Sequence, residues 1–93
     1  MNKLTETTQK ILEAATRLRS RSINEFTGFQ IAMEIKESAE ARYLIGYGTL
    51  YRALYELERQ RSLYSRWEDP DVVKKEGRLR RRYYRLKEKE TNE

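Results

Sequence analysis

Side chains suited to covalent or acid–base chemistry are scarce in this chain, which contains no cysteine and no histidine. That removes thiolate nucleophiles, disulfides, the most frequent metal ligands and the usual proton carrier near neutrality. The carboxylates Asp69, Asp71 and Glu76 cluster on a polar stretch, but no base partner or metal-ligand spacing accompanies them. Hydrolase or transferase work by these groups is therefore a remote alternative, and punctuating a turn while tempering local charge is the plainer role. No catalytic residue, no metal site and no cofactor is expected.

The chemistry the residues do favour is the holding of a polyanion. From Arg61 to Lys87 there are ten cations against Glu68, Asp69, Asp71 and Glu76, an excess of six, although the whole 93-residue chain carries only +5. Such a concentration repels itself until phosphates approach and release their condensed counterions. An Arg-rich face that merely keeps a protein in solution is the bland reading of the same run. Just before it, Tyr47, Thr49, Tyr51, Arg52 and Tyr55 share a stretch of helical pattern. Thr49 and Arg52 are groups that can meet phosphates or base edges, arginine being suited to the acceptor pair of guanine. Lys74, Lys75, Arg78 and Arg80, with Arg66 nearby, are the cations placed to touch a backbone.

Those residues need elements to hold them. Leu50, Leu54 and Leu57 repeat at helical spacing and predict a helix over roughly 47–60 whose leucines turn inward, with Gly46 as its N-cap. Thr49, Arg52, Glu56 and Arg59 then lie opposite the spine, and Tyr51 and Tyr55 on its flanks. Upstream, Ile11, Leu12, Ala15 and Leu18 predict an amphipathic helix over about 5–18. Thr27 and Gln30 form a capping-box pattern, with Phe26 and Ile31 at the positions of a hydrophobic staple, so a second helix is expected over 27–38. Ile31, Ala32 and Ile35 would share one side of it and Phe29 and Met33 a neighbouring stripe, leaving it largely packed down. From Ala39 to Tyr47 the pattern loosens into a turn.

After Ser62 the period changes to two. Strands are expected over about 63–68 and 80–86, the first ended by Asp69-Pro70-Asp71, and residues 72–79 between them read as a polar loop. Leu63 or Trp67, with Tyr84 and Leu86, should face inward. Trp67 is expected as a packing anchor covering the helices rather than a platform for a base. The tail from Lys87 is charged and should fray or add a helical turn. No apolar run approaches the roughly 20 residues a membrane crossing requires, and the N-terminus lacks the layout of a secretion signal. A cytoplasmic protein without a membrane partner is the expectation.

Three helices followed by two strands around a basic segment amount to an α+β, mainly helical, winged helix-turn-helix, read as one domain over residues 1–93. Gly28-Phe29-Gln30-Ile31-Ala32-Met33-Glu34-Ile35, Gly48-Thr49-Leu50-Tyr51, Leu57-Glu58, Trp67 and Arg81-Arg82-Tyr83-Tyr84-Arg85-Leu86 carry a resemblance to the DNA-binding domain of PadR-family transcriptional regulators. It covers about two-thirds of the chain. The resemblance implies a repressor of double-stranded DNA whose third helix enters the major groove and whose wing touches the backbone or the minor groove. It also implies dimers on inverted repeats. Arg61-Ser62 stands where the family usually has Gly-Leu, so the end of the third helix is expected to lose its left-handed cap. Family members continue past the wing into helices that dimerise and often frame an effector pocket. This sequence stops short of them, which leaves a small-molecule effector undecided and points any homodimer to another surface, such as the first helix. The competing reading of another class is a winged helix that serves as a protein-interaction module, marked by an exposed apolar patch and no salt-dependent DNA retention. RNA binding is less favoured, since the aromatic-rich sheet of common single-strand readers is lacking.

Overall fold

Three leucines and an alanine on one face of the third helix set the position of everything else. Leu50, Ala53, Leu54 and Leu57 are all buried, and they meet Ile11, Ala14, Ala15 and Leu18 from the first helix and Ile31 and Ile35 from the second. The computed structural model describes residues 3–38 and 45–87. Its elements are α1 (Lys3–Ser20), α2 (Gly28–Ser38), α3 (Tyr47–Arg59), β1 (Leu63–Trp67), α4 (Pro70–Glu76) and β2 (Arg82–Leu86). The loosened stretch expected after Ala39 lies outside the described residues through 44, as does the charged tail from 88.

The local signals explain most of these boundaries. Thr27 Oγ1 accepts from the backbone N–H of Gln30 at 3.1 Å, while Gln30 Oε1 accepts from the N–H of Thr27 at 2.8 Å, so the capping box opens α2 as its pattern requires. Gly46 caps α3 through its carbonyl, which accepts from Leu50 N at 2.9 Å, and no side chain caps that first turn. The far end of α3 corrects the expectation of a lost left-handed cap. Arg61 itself takes φ of 63°, and Ser62 N donates to Leu57 O while Arg61 N donates to Glu58 O. These two bonds are a Schellman closure, built on an arginine where glycine would be free of strain.

β1 and β2 pair antiparallel, with Leu63 opposite Leu86, Ser65 opposite Tyr84 and Trp67 opposite Arg82. Tyr84 also exchanges both backbone hydrogen bonds with Phe26, at 2.8 and 3.0 Å, so the sheet gains a one-residue third partner that ties it to the approach to α2. Burial fades along the inner face, from Leu63 and Tyr84 in the core to Trp67, which is 51% exposed. The reading of Trp67 as a packing anchor is thus overturned. Its strand has already left the helices behind when the tryptophan is reached.

A further correction is α4, which occupies most of the stretch read as a polar loop. Asp69 accepts from Asp71 N at 2.8 Å as N-cap, Pro70 stands at N1, and Gly77 closes the helix at φ of 64°. No other described element comes close to the α4 backbone, although Val73 on its inner side is buried, so the wing carries a helical turn set apart from the three-helix body. The whole is an α+β winged helix-turn-helix with one more helix than expected.

Candidate nucleic-acid interface

With its leucines turned down, α3 must present the opposite ridge to solvent. Tyr47, Tyr51 and Tyr55 follow one another at steps of four residues along one flank of that ridge and are 61%, 47% and 67% exposed. The rings of Tyr47 and Tyr51 stack with centroids 6.5 Å apart. Arg52 is exposed beside them, and Thr49 is half-buried. Glu56 does not compete with Arg52 for its neighbours, because its carboxylate is taken by Arg59 at 2.6 Å and Gln60 at 2.8 Å. Those bonds, Arg59 foremost, hold the Glu56 carboxyl below its ordinary range.

Tyr51 also fixes the distance between α2 and α3. A Cβ on Gly28 would fall 2.5 Å from the Tyr51 hydroxyl and 2.8 Å from Cζ, so the ring lies directly on the bare backbone at the start of α2. Beyond it opens a cleft of about 750 Å³ lined by Phe29, Gln30 and Tyr51 on the helix side and Trp67, Arg80 and Arg82 on the wing side. Phe29 was expected to pack down beside Met33, yet it is 60% exposed. The helical stripe it belongs to reaches past the edge of the core into this cleft.

On the wing side, cations sit on aromatic faces. The guanidinium groups of Arg80 and Arg82 lie 5.5 and 5.2 Å from the Trp67 ring. Arg82 further donates to Glu58 of α3 at 3.2 Å and to Ser65 at 2.8 Å, and Ser65 donates to Glu58 as well. This triad links the sheet to the C-terminal end of α3, so the two cannot slide independently without breaking it.

The cations expected on the wing have divided fates. Lys74 and Lys75 are exposed on α4, and Arg80 is exposed at the mouth of the cleft. Arg78 instead turns inward: its two Nη atoms reach the Glu68 carboxylate at 2.7 Å each and its Nε reaches Glu76 at 2.7 Å. Arg78 and the Arg81 backbone N–H together hold the Glu68 carboxyl down to about 2. Arg66 points to the other face of the sheet, where it forms a two-pronged pair with Glu25 at 2.7 Å and covers the Tyr83 ring. The structure therefore places Tyr51 and Arg80 on one cleft, leaves Tyr47, Arg52 and Tyr55 exposed along α3, where Arg52 and Tyr55 border a second hollow shared with Leu4 of α1, keeps Lys74 and Lys75 exposed on α4, and commits Arg66 and Arg78 to ion pairs. Phe29, Trp67, Arg81 and Arg82 join the candidate surface without having been singled out for it. For Trp67 the alternation of its strand was the available signal, since it stands two steps beyond the last buried position.

Among the described residues no group of His, Cys, Asp or Glu could hold a metal ion, and no helix is long and apolar enough to cross a membrane. A three-helix body with a polar and aromatic ridge on its last helix, flanked by a basic hairpin, defines the winged helix-turn-helix class. Residues 18–90 match the model of the transcriptional regulator PadR-like family, and the chain belongs to that family. It is a family of DNA-binding regulators. No curated protein matches the chain.

Proposed function

We propose that this protein is a sequence-specific repressor of double-stranded DNA that reads the major groove with the first turns of α3 and holds the backbone or the minor groove with its wing. One observation supports this above the rest. The apolar face of α3 is fully sealed, whereas Tyr47, Tyr51, Arg52 and Tyr55 are all exposed along the helix, and Tyr51 among them borders the cleft that Arg80 lines. Arg52 is the base reader, and Thr49 with the tyrosines meets phosphate and sugar. Lys74, Lys75 and Arg80 supply the sequence-independent share of affinity. Arg66 and Arg78 shape the wing, and touch phosphate only through the edges their ion pairs leave open. The chain acts as one domain in the cytoplasm, without catalysis and without a cofactor. Two copies on an inverted repeat would meet through a surface such as α1, and an effector would need a site outside the reading surface.

The test is selection of bound duplexes from a random pool at two salt concentrations, with sedimentation of the same sample. Recovery of a discrete motif whose retention weakens with salt supports the reading, and two half-sites at a spacing of one helical turn support the dimer. Retention of no duplex at low salt removes it. The exposed cluster of Phe29, Tyr51 and Trp67 favours one second reading, in which the same cleft grips a protein partner. That reading predicts an affinity for DNA no better than any basic protein shows.

A further inference from the structure

In the segment of the wing between α4 and β2, Leu79 is 89% exposed, more than any other large apolar side chain among the described residues. A single exposed leucine is ordinary by itself. Its setting is not ordinary. Both neighbours are clamped: Arg78 binds Glu68 and Glu76 and also donates to the Leu79 carbonyl at 3.3 Å, while Arg80 Nε donates to the Glu68 carbonyl at 3.1 Å. The Arg81 N–H adds a bond of 3.1 Å to the Glu68 carboxylate, and Gly77 closes α4 just before. A segment bonded on both sides holds its side chain out instead of letting it fold back onto the body. Around the leucine in sequence stand the exposed cations Lys74, Lys75, Arg80 and Arg81.

An apolar tip within a cationic collar fits an apolar protein groove poorly, because closing the groove would strip water from charges left without partners. It fits a nucleic-acid groove well. Phosphates line both rims and can answer the cations, and a base step pried open at the floor offers apolar base faces to the leucine.

We infer that Leu79 is a wedge: it enters the minor groove of the bound duplex, partly unstacks one base step and kinks the DNA, while the flanking cations hold phosphates on either side. The inference rests on the DNA-binding reading above. Unstacking is cheapest at pyrimidine–purine steps, so Leu79 would select such a step at a position where no hydrogen bond reads the base.

The test uses the selected duplex with the fluorescent adenine analogue 2-aminopurine substituted at successive positions. With the parent protein, emission should rise several-fold at one step and stay dark elsewhere. Leu79→Ala should abolish that rise and weaken binding by on the order of tenfold, from lost apolar burial, with an unchanged salt slope. Leu79→Met should restore both. Because the side chain is exposed, the alanine variant should melt with its parent, which separates loss of the wedge from loss of fold. Salt-sensitive binding by the parent with every reporter dark, or a Leu79→Ala variant equal to its parent in emission and affinity, overturns the wedge alone. Failure of the parent to hold any duplex overturns the wedge together with the reading beneath it.

Discussion

Replacing Glu34 by glutamine should destabilise the protein by an amount that depends on pH in a defined way. Glu34 on α2 is 8% exposed and receives Arg17 Nε at 3.0 Å and Arg21 Nη2 at 2.9 Å from α1 and the turn after it, and Ser38 Oγ at 3.0 Å. Arg21, then Arg17 and Ser38, outweigh the desolvation of the carboxylate and lower its pKa from 4.5 to about 2. That depression corresponds by linkage to a ceiling of roughly 3 kcal/mol. Both arginines are more than a third exposed, at 39% and 51%, so solvent screening reduces this to about 1–2 kcal/mol. The folded-state pKa is depressed. The stabilisation is therefore complete above the unfolded value near 4.5, and disappears as pH falls through 2. Urea titrations of parent and Glu34→Gln at half-unit intervals from pH 7 to pH 2.5 would read the gap, which near neutrality should also appear as a midpoint lowered by roughly 5–15 °C. A gap that stays constant down to pH 2.5 would mean that the amide fails by shape rather than charge. No gap at pH 7 would refute the account outright.

Three further outcomes follow from the geometry. Arg52→Ala should relax sequence preference and cost roughly 1–3 kcal/mol in binding, whereas Lys74→Ala or Lys75→Ala should weaken binding to all sequences and lower the salt slope by about one unit each, as titrations of specific and scrambled duplexes would record. Arg61→Gly should raise stability by about 0.5–1 kcal/mol, because it relieves a left-handed arginine at the close of α3, and an unchanged or lower denaturation midpoint would contradict this. Gly28→Ala should leave the melting midpoint nearly unchanged but push the Tyr51 ring outward, since the half-exposed ring can yield, and weaken specific DNA binding measurably. A large fall in midpoint would show instead that the ring has nowhere to go.

Much of the fold was legible because it depends on short-range patterns. The leucine spine of α3, the Thr27–Gln30 box and the pairing face of Arg82, Tyr84 and Leu86 each follow from period and spacing alone. α4 was also written in its residues, as Asp69, Pro70 and Gly77 at N-cap, N1 and C′, but seven charged and apolar residues between two strands look equally like a wing loop. Trp67 and Phe29 were misread for a different reason. Size argues for burial only where the body extends far enough to cover the residue, and that reach is a tertiary quantity. The same holds for the pairs Arg66–Glu25, Arg78–Glu68 and Arg21–Glu34, whose members lie 41, 10 and 13 residues apart. A count of charges cannot tell a free arginine from one already answered by a distant carboxylate.

Glu25, Glu58 and Glu68 have a consequence for how the hairpin behaves in the ionic medium of a cell. They act as internal counterions for Arg66, Arg82 and Arg78, so of the ten cations from Arg61 to Lys87, seven remain without an ion pair among the described residues. If all seven met phosphate, the hairpin's share of the logarithmic salt dependence would be at most about six. If the proposed reading holds, the acids would thus limit indiscriminate attraction to chromosome-length polymer and leave Leu79 and the tyrosines of α3 a larger part in choosing where the protein stays.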